Sequence, residues 1–293
     1  VTLAQENSAL ATCAQLPDLD DDERLVVPAL ADLGIEAVPA VWDDPTVEWQ
    51  RFRVVVIRST WDYSDRRDEY LEWCASLPCV VNPFPVIAWN TDKRYLRDLV
   101  AAGIPIVPTT WIEPDASLDD IELPEGEVVI KPAVSAGARN TSRYRAEDSD
   151  QARAHITRLL SSGRTAMVQP YVQSLDARGE TGLIYFDGEL SHSIRKGPLL
   201  RHHGHLTKGL WEPEQITARD PDADEIALAE RTLQVLPWSS RELLYARVDV
   251  VRADDGAPML LELEVTEPSL FLGLGAGAAE RFASAIARRL RTL

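Results

Sequence analysis

The sequence predicts an α/β half of roughly ninety residues followed by an α+β half. Two observations carry this. Near the N-terminus short apolar runs alternate with helical and turn segments, as in a parallel sheet. Past residue 110 the runs lengthen and turn back at "FDGE" and "ADDGAP", as in antiparallel hairpins. The length of 293 residues allows two domains, or one large domain with a second lobe.

The elements follow in order. "SALATCA" reads as a short apolar strand, "PDLDDDE" as an acidic loop, and Arg24 to Leu33 as a helix closed by Gly34. "IEAVPAVW" and "RVVVIR" are two more strands, the second with the continuous apolar character of a buried parallel strand. In "NTDKRYLRDLVAAGIPIVPT", Asn90 or Thr91 caps a helix whose apolar face is Leu96, Leu99 and Val100, and Gly103 with Pro105 stops it. "EVVIKPAV" and "AMVQPYV" are strands on either side of a helix from Asp150 to Leu160. "TGLIYFDGELSHSIRK" is a hairpin turning on Asp187-Gly188. A helix from Asp224 to Leu236 precedes a second hairpin, "ELLYARVDVVRADDGAPMLLELEV". The last helix, Ala278 to Leu290, carries Phe282, Ile286 and Leu290 at i, i+4 spacing.

Composition narrows the function classes. A net charge of −17 argues against nucleic acid and against an anionic membrane, but a local cluster of Lys and Arg can still hold a small anion. No apolar run has the length of a membrane span, and "VTLAQENSAL" lacks the basic and apolar regions of a signal peptide. Cys13, Cys74 and Cys79 have no metal-ligand spacing and read as reduced packing residues, which places the protein in the cytoplasm.

The second hairpin carries chemistry. If Arg252 and Met259 close its loop, Asp249 lies opposite Glu262 and Arg247 opposite Glu264, all on one face. Val248, Val250, Leu261, Leu263 and Val265 then form the core face. One arginine cannot neutralise three carboxylates, whereas a divalent cation can, and an all-oxygen set favours magnesium. A solvent-exposed acidic face with a surface salt bridge fits the same residues.

Lys131 ends "EVVIKP" before the small-residue loop "AVSAGARNTS", a plausible phosphate grip, although a surface lysine at a mobile turn fits as well. Lys93 alone is an exposed helix residue. "RKGPLLRHHGHLTKGLW" gathers Lys196, Arg201, His202, His203, His205 and Lys208 on a loop able to close over phosphates, with no zinc-ligand spacing. Arg58, Ser59, Thr60, Trp61, Asp62 and Tyr63 follow a buried strand. They sit at a sheet's carboxyl edge, where small molecules bind, or form a capped turn under an aromatic.

In order along the chain, "DKRYL…AGIPIVPT", "VVIKPAVSAG", "MVQPYV", "GE" with its hairpin and "RVDVV…LLELEVTEP" resemble the ATP-grasp superfamily. The resemblance covers nearly the whole chain. It implies an ATP-grasp fold: a Rossmann-like domain over 1–90, a connecting helix and small lobe over 91–172, and a C-terminal lobe over 173–293, with ATP between the lobes. It also implies that Lys93 and Lys131 contact phosphates and that Ser135, Gly137 and Glu180 bind ATP with them. The segment Gln169 to Val172, with Tyr171, would meet adenine, and Asp249, Glu262 and Glu264 would hold Mg2+. Arg247, Lys131 and Lys196 would stabilise the transferred phosphate. Glu264 stands where many members have Asn, and Gln169 where an acidic residue is frequent.

Within that superfamily "ALATCAQLPDLDDDE", "VIRSTWDY", "NTDKRYL", "KPAVSAGARNT" and "SHSIRKGPLL" are similar to a branch that includes the O-ureidoserine cyclo-ligase of D-cycloserine biosynthesis. The activity so implied is ATP- and Mg2+-dependent activation of a carboxylate as an acyl phosphate. Attack by a nitrogen of the same small, amino-acid-like molecule follows, with Arg58 through Tyr63 and Glu267 holding that substrate. An intermolecular carboxylate–amine ligase and a non-catalytic nucleotide-binding protein are the alternatives. The sequence leaves room for a homo-oligomer without specifying one.

Overall fold

The structure, a computed structural model, describes residues 7–117, 121–200, 204, 210 and 215–292. Strands β1 (Asn7–Thr12), β2 (Glu36–Val41), β3 (Val54–Ile57) and β4 (Val80–Val81) form a four-stranded sheet in the order β2-β1-β3-β4. Each neighbouring pair is parallel, as the alternating pattern implies. Helix α1 (Val26–Asp32) covers one face of this sheet, with Val26 and Leu30 buried. Helix α2 (Arg67–Ser76) places Tyr70 and Cys74 in an aromatic cluster with Trp42 and Tyr63.

Helix α3 (Phe84–Asn90) and helix α4 (Tyr95–Ala101) occupy the stretch expected to be one helix. Asn90 therefore ends a helix instead of capping one. Its amide is spent on the C-terminal half, donating to Leu263 O at 2.7 Å and accepting from Val265 N at 2.9 Å. The backbone at Arg94 is held by Asp92, whose Oδ1 accepts from Arg94 N at 3.0 Å. Lys93 lies in the turn between the two helices. Leu96 and Leu99 are core residues, but Val100 is 50% exposed, because the short α4 buries only the face carrying Tyr95, Leu96 and Leu99.

Strands β5 (Thr110–Ile112), β6 (Val128–Pro132), β7 (Ser142–Tyr144) and β8 (Ala166–Pro170) make an antiparallel sheet in the order β5-β8-β6-β7. Helix α5 (Ser149–Ser161) packs on it through Ala152, Ile156, Leu159 and Leu160. After helix α6 (Ser174–Arg178) come β9 (Glu180–Phe186), β10 (Glu189–Lys196), β11 (Ile216–Ala218), helix α7 (Ala223–Gln234), β12 (Tyr245–Arg252) and β13 (Pro258–Glu264). Their sheet runs β11-β10-β9-β12-β13. The β9–β10 hairpin turns on Asp187 and Gly188, at φ 51° and 81°, the left-handed pair that a two-residue hairpin requires.

Helix α8 (Ala278–Thr292) locks the two ends of the chain together. Phe282, Ile286 and Leu290 share one core with Leu10, Val54 and Val56 of the parallel sheet and with Ile184, Phe186 and Tyr245 of the long one. Arg288 and Arg289 at its basic end pair with Asp187. Asn82 adds a polar tie. Its Nδ2 donates to Tyr245 O at 2.9 Å and Val265 O at 2.8 Å, and its Oδ1 accepts from Leu244 N at 2.6 Å. Asn82→Ala strands three buried backbone groups and is expected to lower unfolding free energy by about 3 kcal/mol. Urea denaturation measures this, and a loss under 1 kcal/mol, roughly the worth of one ordinary hydrogen bond, would refute it.

Candidate active site

A cavity of about 510 Å3 opens where the three sheets meet. Its floor is the β12–β13 hairpin, paired with Arg247 opposite Glu264 and Asp249 opposite Glu262. The loop closes differently from the expectation: Pro258, not Met259, lies opposite Arg252, and the pairing shifts by one residue between Asp249 and Val250. This bulge at Leu261 restores Glu262 to its place opposite Asp249. It also takes Leu261 off the core face, and Leu261 lines the cavity beside Val107 and Val172. Gly182 of β9 makes room for the floor, since a Cβ there would stand 3.0 Å from Asp249 Oδ1.

Each acid of the floor meets a base. Arg247 donates from Nε to Asp249 Oδ1 and from Nη2 to Asp249 Oδ2, both at 2.9 Å, and from Nη2 to Glu264. Lys196 Nζ lies 2.9 Å from Asp249 Oδ2 and also pairs with Glu180. Lys93 Nζ lies 3.0 Å from Glu262 Oε1 and donates to Ser135 O at 2.7 Å, tying the small-residue loop to the floor. Lys93 and Lys131 are 7% and 8% exposed, so neither is the surface lysine that its segment alone allows. The Lys131 side chain makes no hydrogen bond or ion pair to any described residue. Burial lowers its pKa, Lys93 and Lys196 push the same way, and Glu262 and Glu180 oppose them.

The acids separate electrostatically. Burial disfavours the Asp249 carboxylate, yet Arg247 and Lys196 overcome it and hold its pKa well below the usual range. Burial raises Glu264 to about 7, with the Glu262 and Asp249 charges adding to it against Arg247. Asp249 sits behind Arg247 and Lys196, outside the cavity wall, while Glu262 and Glu264 line it. Among the described residues no three acidic, histidine or cysteine side chains form a ready-made metal cage. Of the three carboxylates expected to hold magnesium, Glu262 and Glu264 line the cavity and Asp249 stands behind them, engaged by Arg247 and Lys196. That donor set still fits magnesium, which takes one or two protein carboxylates and completes its shell with phosphate oxygens and water.

Above the floor, Ser135, Ala136, Gly137 and Ala138 form one wall. Gly137 and Ala138, at φ 59° and 58°, turn this loop back over the cavity. Gln169, Pro170, Tyr171 and Val172 form the wall at the end of β8, and Val107, Val129, Leu175 and Leu261 complete an apolar slot beside them. Gln169 Nε2 donates to Thr109 Oγ1 at 2.8 Å, so its side chain is already engaged. The Arg143 guanidinium stands 3.3 Å from the Tyr171 ring centroid and Tyr171 donates to Asp176 at 2.6 Å, which fix that ring.

At the opposite end Asp20, Trp61, Tyr63, Glu267, Ser269 and Phe271 line the cavity. Trp61 and Tyr63 were legible as candidates, but Arg58, Ser59, Thr60 and Asp62 stand behind the wall. Arg58 is fully buried, paired with Glu23 and donating to Pro268 O at 2.6 Å. Ser59 accepts from Asp20 N, Thr60 bonds Tyr70, and Asp62 accepts from Trp42. These four shape the wall without reaching through it. The segment carrying Glu267 is pinned carbonyl by carbonyl. Thr266 O accepts from Tyr245 at 2.8 Å, Glu267 O from Trp61 Nε1 at 3.0 Å, Ser269 O from Arg247 at 3.0 Å, and Leu270 O from His192 at 2.8 Å. The basic loop residues Arg201, His202, His203, His205 and Lys208 lie outside the described residues.

Burial raises the Glu267 carboxyl to about 8, with Glu264 adding and Lys93 and Tyr63 opposing. A carboxyl so raised favours folding fully below its ordinary value of 4.5 and loses that contribution as pH climbs to about 8. Glu267→Gln in ligand-free protein is therefore expected to match the wild-type melting temperature near pH 4.5 and exceed it at pH 8. Thermal melts across this window provide the check, and a variant that melts lower at pH 8 would contradict the assignment.

A family model described as the N-terminal domain of the D-cycloserine synthetase DcsG matches residues 8–84. The chain is 39% identical, over 97% of its length and 98% of the relative's, to the cycloserine biosynthesis protein DcsG of Streptomyces lavendulae. Its structure superposes on the crystal structure of D-cycloserine synthetase DcsG with a TM-score of 0.86 at 36% identity, covering 97% of this chain and 99% of that one. The ATP-grasp ligase PsnB, solved with a precursor variant, Mg and ADP, shares the fold. Its TM-score is 0.65 at 17% identity, over 99% of this chain and 100% of that one.

Proposed function

Because the chain belongs to the D-cycloserine synthetase family of ATP-dependent ATP-grasp ligases, we propose that it closes O-ureidoserine to cycloserine at the expense of ATP. A substrate carboxylate oxygen attacks the γ-phosphorus, the bond to the bridging oxygen breaks, and ADP leaves. The ureido nitrogen bonded to oxygen then attacks the carbonyl carbon of the acyl phosphate, losing its proton as phosphate departs. The ring so formed carries a carbamoyl group on nitrogen, and its hydrolysis consumes one water, returns a proton to the ring nitrogen and releases carbamate, which breaks down to ammonia and carbon dioxide. Tethering the nucleophile to the activated carbonyl replaces a second binding event with orientation.

The observation that carries this reading is the placement of Lys131. A buried cation whose side chain has no partner among the described residues, between an apolar slot and a carboxylate floor, suits a phosphate group. In this reading adenine fills the slot beside Tyr171 and Val172. Lys93 and Lys131 face phosphate oxygens, and Arg247 with Lys196 faces the transferred group. Magnesium, held by Glu262 and Glu264, would neutralise charge developing on the phosphates. The test is ADP release with product mass measured. ADP, phosphate and cycloserine are expected with O-ureidoserine as the single organic substrate. ADP release only when a second amine is added would instead identify an intermolecular ligase.

A further inference from the structure

Glu267 is a buried acid that lines the cavity. Among the described residues no cation pairs with it, and Lys93, whose charge acts on it, is engaged by Glu262 and Ser135. Its main chain is fixed by neighbours: Trp61 holds its own carbonyl and Arg58 holds the next, with Glu23 locking Arg58. The aromatic rings of Trp61 and Tyr63 flank it in the wall. An acid with unused lone pairs between two aromatic rings is suited to an ammonium group, which brings three donors and a positive charge.

Arg247 and Glu267 line the same cavity, and Arg247 donates to the Ser269 carbonyl two residues beyond Glu267. A ligand that meets both carries a negative and a positive group, as an α-amino acid does. Building on the activity proposed above, we propose that Glu267 accepts the substrate's α-ammonium group and so restricts the site to free amino acids with an unblocked nitrogen. Arg58 and Trp61 are positioning residues that act through the main chain of Glu267 and Pro268.

The test is a binding comparison that does not depend on turnover. O-ureidoserine and its des-amino analogue, with hydrogen in place of the ammonium group, are titrated calorimetrically into protein saturated with magnesium and a non-hydrolysable ATP analogue. Wild type is expected to prefer the amino compound about 100-fold, since unpairing a desolvated charge carries a loss of that order. Glu267→Gln should erase the preference while leaving affinity for the ATP analogue within twofold, and Glu267→Asp should retain part of it. A glutamine variant that keeps the preference, or a wild type without one, would overturn the proposal. Absence of ADP release from O-ureidoserine would instead count against the proposed reaction, leaving the binding comparison to decide the role of Glu267.

Discussion

Glu262→Gln is expected to lower the rate of ADP formation by about a thousandfold while the protein stays folded, because Glu262 serves the nucleotide complex more than the fold. Its carboxylate faces the cavity and takes Lys93 at 3.0 Å, with Lys131 as the next cation. Burial opposes ionisation there, and the two lysines reverse the balance, so its pKa lies below the ordinary value. Glutamine keeps the shape and an oxygen but removes the charge, leaving Glu264 as the single acidic side chain of the floor exposed to magnesium. Lys93 loses an ion pair but keeps its bonds to Ser135, which anchor it. A coupled ADP assay beside a thermal melt separates the two effects. Wild-type turnover in this variant would remove the carboxylate floor from the mechanism.

Parts of this site were legible in the sequence because local rules govern them. Period-two alternation places Arg247, Asp249, Glu262 and Glu264 on one face, and the structure pairs them across the hairpin. The bulge that makes this register compatible with Pro258 opposite Arg252 was not legible. It arises from how β13 meets the rest of the fold, where Leu260 N donates to Pro105 O and Val107 N to Leu260 O. Leu261 was assigned to the core for the same reason. Asn90 was read as a cap because it precedes a helical pattern, yet its amide is consumed by Leu263 and Val265, more than 170 residues away. Arg58 shows the limit most clearly. A cation at the carboxyl edge of a parallel strand suggests a ligand contact, but Glu23 and Pro268 reach it first. Asp20 and Phe271 carried no readable signal beyond an acidic loop and a loop aromatic. Their place in the cavity follows from the packing of the N-terminal sheet against β12, β13 and α8.

Lys131→Met is expected to act with opposite signs on stability and on nucleotide use. In the ligand-free protein the Lys131 ammonium is buried with no ion pair among the described residues, and burial with the charges of Lys93 and Lys196 lowers its pKa. A lysine whose folded pKa is depressed weakens folding at neutral pH. That cost fades as pH rises towards its ordinary value of 10.5, where the unfolded chain also loses the proton. Replacing it with a side chain of similar length and no charge should raise the melting temperature at pH 7, and the gain should shrink as pH is raised. With ATP and magnesium present the order should invert. Wild type gains stability in proportion to the logarithm of ligand over dissociation constant, whereas the variant lacks the cation that its phosphates would meet. The matching kinetic expectation is a fall of about 100-fold in kcat/KM for ATP, the scale of one lost charge-stabilising group. Should Lys131→Met melt below wild type without nucleotide and gain equally from ATP, the lysine would be structural. The phosphate position would then have to move towards Lys93 and Lys196.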